Sequence, residues 1–348
     1  MRIALIAPPF LSVPPMKYGG TELFVAGLAR GLQLQGVDVT VYANGESTLD
    51  VPLRWLYPRS EWPLRGELEC TLKGLNHSSW AIREASEDAD IIHVNSVPAV
   101  TFAGFVDVPM VHTVHHTYEQ SFADFYERMP QVSYVTISDA QRAPFRMPRM
   151  RTIHHGIDPS LYAVHQQKQP YLSFLGRIAP PKGTHLAIEV AQKAGIPLKI
   201  AGEIQPLYKG YWEQAIKPHV DGKFIEYVGE VGLEEKIELL GKSLAMLFPV
   251  QWSEPFGLVM IEAMACGTPV LAMPGGSVNE VVKESLSGHV RATAAELADC
   301  AKTMDLKPES VRAYMEEFFS VERMTRDYIH LYTEILQNGV AEVEQIVA

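Results

Sequence analysis

The sequence predicts two doubly wound α/β domains that face each other across a cleft. Three observations carry this. Short apolar runs alternate with amphipathic stretches from the N-terminus to about residue 155. The alternation restarts at Tyr171 and continues to about residue 336. Between them, GIDPSLYAVHQQKQP (156–170) is polar, has prolines toward both ends and lacks periodicity, as a linker does. Strands alternating with helices specify parallel sheets covered on both faces. The domains are expected at 1–165 and 166–320, with 321–348 as a C-terminal helix and tail.

In order, RIALIA (2–7) reads as a buried strand ended by Pro8 and Pro9. TELFVAGLARGLQLQG reads as a helix, because Leu23, Phe24, Leu28, Leu32 and Leu34 recur near helical period and Gly36 closes it. VTVYA (39–43) is the next strand. Residues 45–75 are irregular and proline-bearing, and a helix follows over 75–87. IIHVN (91–95), MVHTV (110–114), VSYVTI (132–137) and RTIHH (151–155) are strands.

In the second half, YLSFLG, PLKIAGE, FIEYVG, AMLFPV, TPVLAMPGG and GHVRA read as strands. Helices are expected over 183–195, over GLEEKIELLGK, from near Phe256, and over SVNEVVKES, where Ser277 and Glu280 fit a capping box. Helices fill 293–336, and 337–348 is expected to fray. In open parallel sheets, ligands sit beyond the carboxyl ends of strands, and the residues of interest fall at such ends.

Composition narrows the function. The chain of 348 residues has a net charge of −11, and both halves carry an acidic excess. That field does not suit non-specific binding of nucleic acid, and it disfavours peripheral contact with an anionic membrane. Cys70, Cys266 and Cys300 are far apart, with no CxxC pair, and read as reduced thiols. MRIALIAPP is too soon broken for a signal peptide, and no apolar run reaches eighteen residues, so a cytoplasmic protein without a transmembrane segment is expected.

The most informative stretch is SEPFGLVMIEAMACGTPV (253–270). It keeps two carboxylates, Glu254 and Glu262, in an apolar setting, and such carboxylates need partners. Phe256, Gly257 and Leu258 open a helix whose first-turn N–H groups favour an anion. A phosphate at 257 and 258, with hydroxyls given to Glu254 and Glu262, describes a nucleotide sugar. The alternative is that Glu254 belongs to the helix cap and Glu262 is a satisfied surface residue.

Arg177 and Lys182 flank Pro180 and Pro181 in LGRIAPPKG. A fork and a point charge together suit a diphosphate, unless both are simply solvated. Gly19 and Gly20 bring backbone N–H groups near phosphate or sugar, or only make a turn. They are not the GxGxxG fingerprint of hydride-transfer enzymes. His112, His115 and His116 invite a zinc reading, but no fourth ligand has motif spacing, and no Asp-x-Asp pair suggests a metal.

The Glu-x7-Glu stretch resembles the signature of the family 4 retaining glycosyltransferases, which have the GT-B fold of two Rossmann-like domains. KYGGTE (17–22), VHHTY (114–118), ISDAQR (137–142), HHGID (154–158), LGRIAPPKG (175–183) and PGGSVNEVV (274–282) fall in the family's order. The resemblance covers nearly the whole chain except 45–75.

The resemblance implies that Glu262 holds the donor ribose and Glu254 the transferred sugar, with backbone at Phe256, Gly257 and Leu258 against sugar and phosphate. Arg177 and Lys182 would neutralise the leaving diphosphate in place of a metal. His115, with His116 as runner-up, would lie beside the sugar. Glu22 would bind acceptor or cap its helix. Ser138 and Arg142 match a Ser-x-x-x-Arg step, with Arg142 either shaping the acceptor side or meeting the phosphates. Gly275 and Gly276 would line the donor site, and Met273 or Pro274 would touch the base. His155 departs from the family's Asn, which leaves any polar role there open.

The implied reaction moves a hexose, with retention, from a UDP-, GDP-, ADP- or TDP-sugar to a hydroxyl of a glycan, glycolipid or small metabolite, with no cofactor. The alternatives are a nucleotide-sugar epimerase or hydrolase of the same fold and a non-catalytic nucleotide-sugar-binding protein. Acceptor recognition is expected from loops 11–18 and 45–75, where Trp55, Tyr57 and Trp62 either stack on a ligand or cover the core. The sequence assigns neither the nucleotide base nor an oligomeric state.

Overall fold

A computed structural model describes residues 1–17, 19–60 and 66–347. Tyr18 and Trp62, both in segments expected to meet the acceptor, lie outside the described residues. The chain forms two compact units, Met1–Gly156 with Val321–Ala348, and Ile157–Ser320.

The first unit runs β1 (Arg2–Ile6), α1 (Gly20–Leu34), β2 (Asp38–Ala43), β3 (Leu53–Trp55), α2 (Glu67–Ala85), β4 (Ile91–Val94), β5 (Met110–Val114), α3 (Gln120–Tyr126), β6 (Ser133–Thr136), α4 (Asp139–Arg142) and β7 (Met150–Thr152). Its seven strands are parallel, in the order β3-β2-β1-β4-β5-β6-β7. β4 and β5 are buried along their whole length, and β1 from Ile3 onward, because both sheet faces are covered. Val25, Leu28 and Leu32 of α1 pack on one face, and Ala81, Ile82 and Ala85 of α2 on the other.

The second unit runs β8 (Leu172–Leu175), α5 (Thr184–Ala194), β9 (Leu198–Ala201), a short α6 (Lys209–Tyr211), β10 (Ile225–Gly229), α7 (Leu233–Lys242), β11 (Ala245–Phe248), α8 (Leu258–Ala265), β12 (Val270–Ala272), α9 (Val278–Val281), β13 (Gly288–Val290), α10 (Ala294–Lys302) and α11 (Pro308–Phe319). Its six parallel strands are ordered β10-β9-β8-β11-β12-β13. In both sheets the strand order reverses beside the first strand, at β1/β4 and at β8/β11. Such switch points are where doubly wound sheets bind ligands.

The last helix, α12 (Val321–Val347), belongs to the first unit. It lies against α1, where Gly31 permits close approach: a Cβ there would sit 2.0 Å from Thr325 Oγ1. The Tyr328 hydroxyl lies 2.8 Å from Thr113 Oγ1, and the Tyr332 hydroxyl 2.7 Å from His93 Nδ1. The helix continues through 337–347, where the sequence suggests fraying.

Other details differ from the sequence reading. Residues 157–165 group with the second unit, where Arg312 of α11 donates to the Pro159 and Tyr162 carbonyls, whereas the sequence boundary lies at 165. β3 forms within the segment read as irregular, because three edge residues are too few to show periodicity. α2 starts at Glu67 rather than 75. The capping box at Ser277 does not form. Ser277 has helical φ −72° and ψ −7°, and its hydroxyl donates to the Phe256 carbonyl at 2.9 Å instead. Among the described residues, no helix is long and apolar enough to cross a membrane.

Candidate active site

In the second unit, the loops after β8 and β11 meet at the switch point. After β8, Pro180–Lys182 make one 3-10 turn. It ends on Gly183 at φ +74°, where a Cβ would sit 1.9 Å from the Pro249 carbonyl oxygen, so only glycine fits. The Pro181 carbonyl accepts from Gln251 N at 2.7 Å and ties the two loops together.

That junction brings Lys182 to Glu254. Lys182 Nζ donates to Glu254 Oε2 at 2.6 Å, and Trp252 Nε1 donates to the same oxygen at 2.9 Å. The ammonium also lies 4.6 Å from the Trp252 ring centroid, a cation–π contact. Glu254 is 7% exposed, so its carboxylate depends on these donors. No described residue engages Oε1.

Glu262 is arranged in parallel. On α8, and 3% exposed, it is a buried residue and not a surface one. Its Oε1 accepts from the Tyr162 hydroxyl at 3.0 Å and pairs with Lys236 Nζ of α7. Again, no described residue engages the second oxygen. Each glutamate therefore spends one oxygen on a protein lysine, while its other oxygen has no partner among the described residues.

Between them, α8 starts at Leu258, two residues later than the sequence suggests, with Gly257 at φ +78° as its N-cap. Phe256 is buried against Phe319, with ring centroids 5.9 Å apart, so only its backbone faces this turn. The turn after β12 closes over the glutamate loop. Cβ atoms on Gly275 and Gly276 would sit 2.6 Å from the Trp252 carbonyl oxygen and 2.2 Å from that of Glu254. Ser277 N donates to the Glu254 carbonyl at 2.9 Å. Arg177, half-buried, lies in the loop just after β8.

In the first unit, the remaining candidates follow β1, β4, β5 and β6. Gly19, at φ +151°, precedes α1, and Gly20 is its first residue. A Cβ on Gly19 would sit 2.9 Å from Glu22 Oε2. Glu22 is 6% exposed and forms no ion pair with any described residue. Burial raises its carboxyl to about 7, opposed only by a hydrogen bond from its own backbone N–H.

His115 Nε2 lies 2.9 Å from Asn95 Oδ1, and its ring stacks on His155 at 5.5 Å and meets Phe24 at 5.0 Å. Burial and the neighbouring His155 hold it well below the usual histidine range. His155 is a buried aromatic packing partner, which accounts for a residue where the family carries Asn. His116 turns to the Tyr126 hydroxyl at 2.7 Å. The Ser138 hydroxyl caps α4, accepting from Gln141 N at 3.1 Å. The Gln141 side chain in turn donates to the Val114 and His116 carbonyls. Arg142 is exposed, with no ion pair to a described residue. Among the described residues, no group of three or more His, Cys, Asp or Glu could hold a metal ion.

Comparison with known proteins supplies the context. Residues 18–161 match the family described as Glycosyltransferase Family 4, and residues 163–306 match Glycosyl transferases group 1. The chain is a glycosyltransferase of the GT-B fold. It is 25% identical over 347 residues to the glycogen synthase of Mycobacterium tuberculosis, covering 83% of this chain and 81% of that one. Its fold resembles the sucrose-phosphate synthase of Thermosynechococcus elongatus, with a TM-score of 0.79, 18% identity and coverage of 97% and 99%. It also resembles Anabaena HepE in complex with UDP-glucose, with a TM-score of 0.75, 18% identity and coverage of 96% and 100%.

Sequence reasoning missed four residues of the glycosyltransferase that complete these groups: Trp252, Lys236, Tyr162 and Asn95. Trp252 was legible, standing two residues before Glu254 at a strand end. Lys236 and Tyr162 had no local signal, because they reach Glu262 from 26 and 100 residues away.

Proposed function

We propose that this glycosyltransferase is a retaining, metal-independent member of family 4 that moves a hexose from a nucleotide-diphosphate sugar to an acceptor hydroxyl. The observation that carries this is the pair of buried glutamates, each half-engaged by a lysine. Glu262 would accept from the donor ribose through its second oxygen, and Glu254 from the transferred sugar.

Lys182 has three N–H donors and uses one on Glu254. The others can go to the diphosphate without breaking the pair, so Glu254 and Trp252 aim the cation before donor arrives. The bond from the anomeric carbon to the diphosphate oxygen breaks, and charge grows on that oxygen. Lys182, Arg177 and the first turn of α8 would stabilise it. The acceptor oxygen bonds to the same face, and its proton passes to the departing diphosphate.

On the first unit, His115 would meet a hydroxyl of the sugar, with Glu22 and the Gly19–Gly20 turn beside the reacting groups. The likeness to a UDP-glucose complex makes UDP-hexose the first donor to try. A panel of UDP-, GDP-, ADP- and TDP-hexoses with pooled acceptors tests the reading. Nucleotide diphosphate should be released only with acceptor present, and the product should keep the donor's anomeric configuration by NMR. Release without acceptor supports the epimerase or hydrolase alternative, and nucleotide binding without turnover supports a binding protein. An inverted product overturns retention.

A further inference from the structure

The β1/β4 switch point of the first unit holds a residue with no role assigned above. Asn95 is the first residue after β4 and is buried. Its backbone N–H donates to the Ile6 carbonyl at 3.0 Å, and its side-chain Nδ2 donates to the same oxygen at 3.2 Å. A carbonyl can only accept, so the amide orientation is settled: nitrogen toward Ile6, oxygen toward His115. Oδ1, likewise only an acceptor, lies 2.9 Å from His115 Nε2, so that nitrogen must carry the proton.

The other ring nitrogen follows. His115 faces neutral groups: Asn95, the stacked His155, the edge of Phe24, and His93, His112 and His116 nearby. Among the described residues, no carboxylate pairs with it to favour an imidazolium, and Nδ1 has no hydrogen-bond partner. We propose that Asn95 is a positioning residue that holds His115 as the Nε2–H tautomer, so that Nδ1 accepts from a substrate hydroxyl and rejects a carboxylate. This rests on the reading of His115 as a residue that meets the transferred sugar. It adds a substrate class: the group facing His115 is an O–H, so where that group is the C6 substituent a neutral hexose is preferred over a hexuronic acid.

Long-range proton–nitrogen correlation on the full chain reads the tautomer directly, with the His115 signals assigned by their loss in His115→Phe. Wild type should show neutral His115 with the proton on Nε2. Asn95→Asp keeps the shape but places a carboxylate at the ring, and should protonate His115 at a pH where wild type is neutral. Asn95→Leu, which removes the acceptor, should give mixed tautomers. An Nδ1–H tautomer in wild type, or unchanged ring signals in both variants, overturns the proposal.

The selectivity for UDP-hexose over UDP-hexuronic acid in kcat/KM should fall about tenfold or more in Asn95→Asp, because a protonated ring donates from Nδ1. Unchanged selectivity overturns the substrate half. Unaltered transfer by His115→Phe overturns the underlying role of His115, while the tautomer measurement stands independently of it.

Discussion

Lys182 and Glu254 form a nearly buried ion pair, 2.6 Å from Nζ to Oε2, across the two loops at the β8/β11 switch point. One contact thus joins a cation expected to meet phosphate with a carboxylate expected to meet sugar. Removing either partner leaves the other charge poorly solvated. Lys182→Met should destabilise the protein by about 3 kcal/mol, the lower end for buried pairs because the lysine is part exposed. Lys182→Met with Glu254→Gln should be more stable than the sum of the single changes predicts. A double-mutant cycle from urea unfolding measures this, and additive losses would remove the pair from the account.

The two glutamates should separate in kinetics. A ribose contact exists before and during reaction, so Glu262→Gln should weaken free nucleotide diphosphate about ten- to a hundredfold. A sugar contact strengthens as charge develops, so Glu254→Gln should chiefly lower kcat. Calorimetry with nucleotide diphosphate, which has no sugar, discriminates. Equal weakening by both changes contradicts the division.

Gly276 should tolerate no side chain. Its φ is +57°, and a Cβ would strike the Glu254 backbone at 2.2 Å. Gly222→Ala is the matched control, since φ is +72° there but nothing lies within 4 Å. The control should cost about 1 kcal/mol from backbone strain alone, and Gly276→Ala about 2 kcal/mol more, with loss of turnover. Thermal melts compare the two, and equal costs would mean that the close approach carries no weight.

Glu22 should make stability depend on pH. Burial raises its carboxyl from 4.5 to about 7. The folded state therefore holds the proton more tightly than the unfolded chain does. The resulting stability is complete below about 4.5 and is lost as pH rises through about 7, reaching about 3 kcal/mol. Glu22→Gln should flatten this part of the profile and raise stability at pH 8. Urea unfolding across pH 5 to 8 tests it, and parallel profiles for both proteins would show that Glu22 does not titrate there.

Chelation should leave transfer intact. The charges expected to meet the diphosphate, Lys182 and Arg177, are the protein's own. Turnover before and after exhaustive EDTA treatment is the measurement. Complete loss, restored by magnesium or manganese, would replace this account with a metal-dependent one.

The sequence by itself determined the two α/β units, because continuous apolar strands between amphipathic helices can be buried in few other ways. It also marked the glycine turns and the glutamates, whose backbone demands and polarity are local properties. It did not reveal β3, whose three residues carry too little pattern, or that Ser277 turns to the Phe256 carbonyl instead of capping α9. Tertiary structure alone decided the partners. Glu254 meets Lys182 from 72 residues away, and Glu262 meets Lys236 and Tyr162 from 26 and 100. His115 meets Asn95, 20 residues earlier, just past the end of the neighbouring strand. Which strand ends become neighbours is set by sheet order, and sheet order arises from packing the whole chain rather than from any local stretch of it.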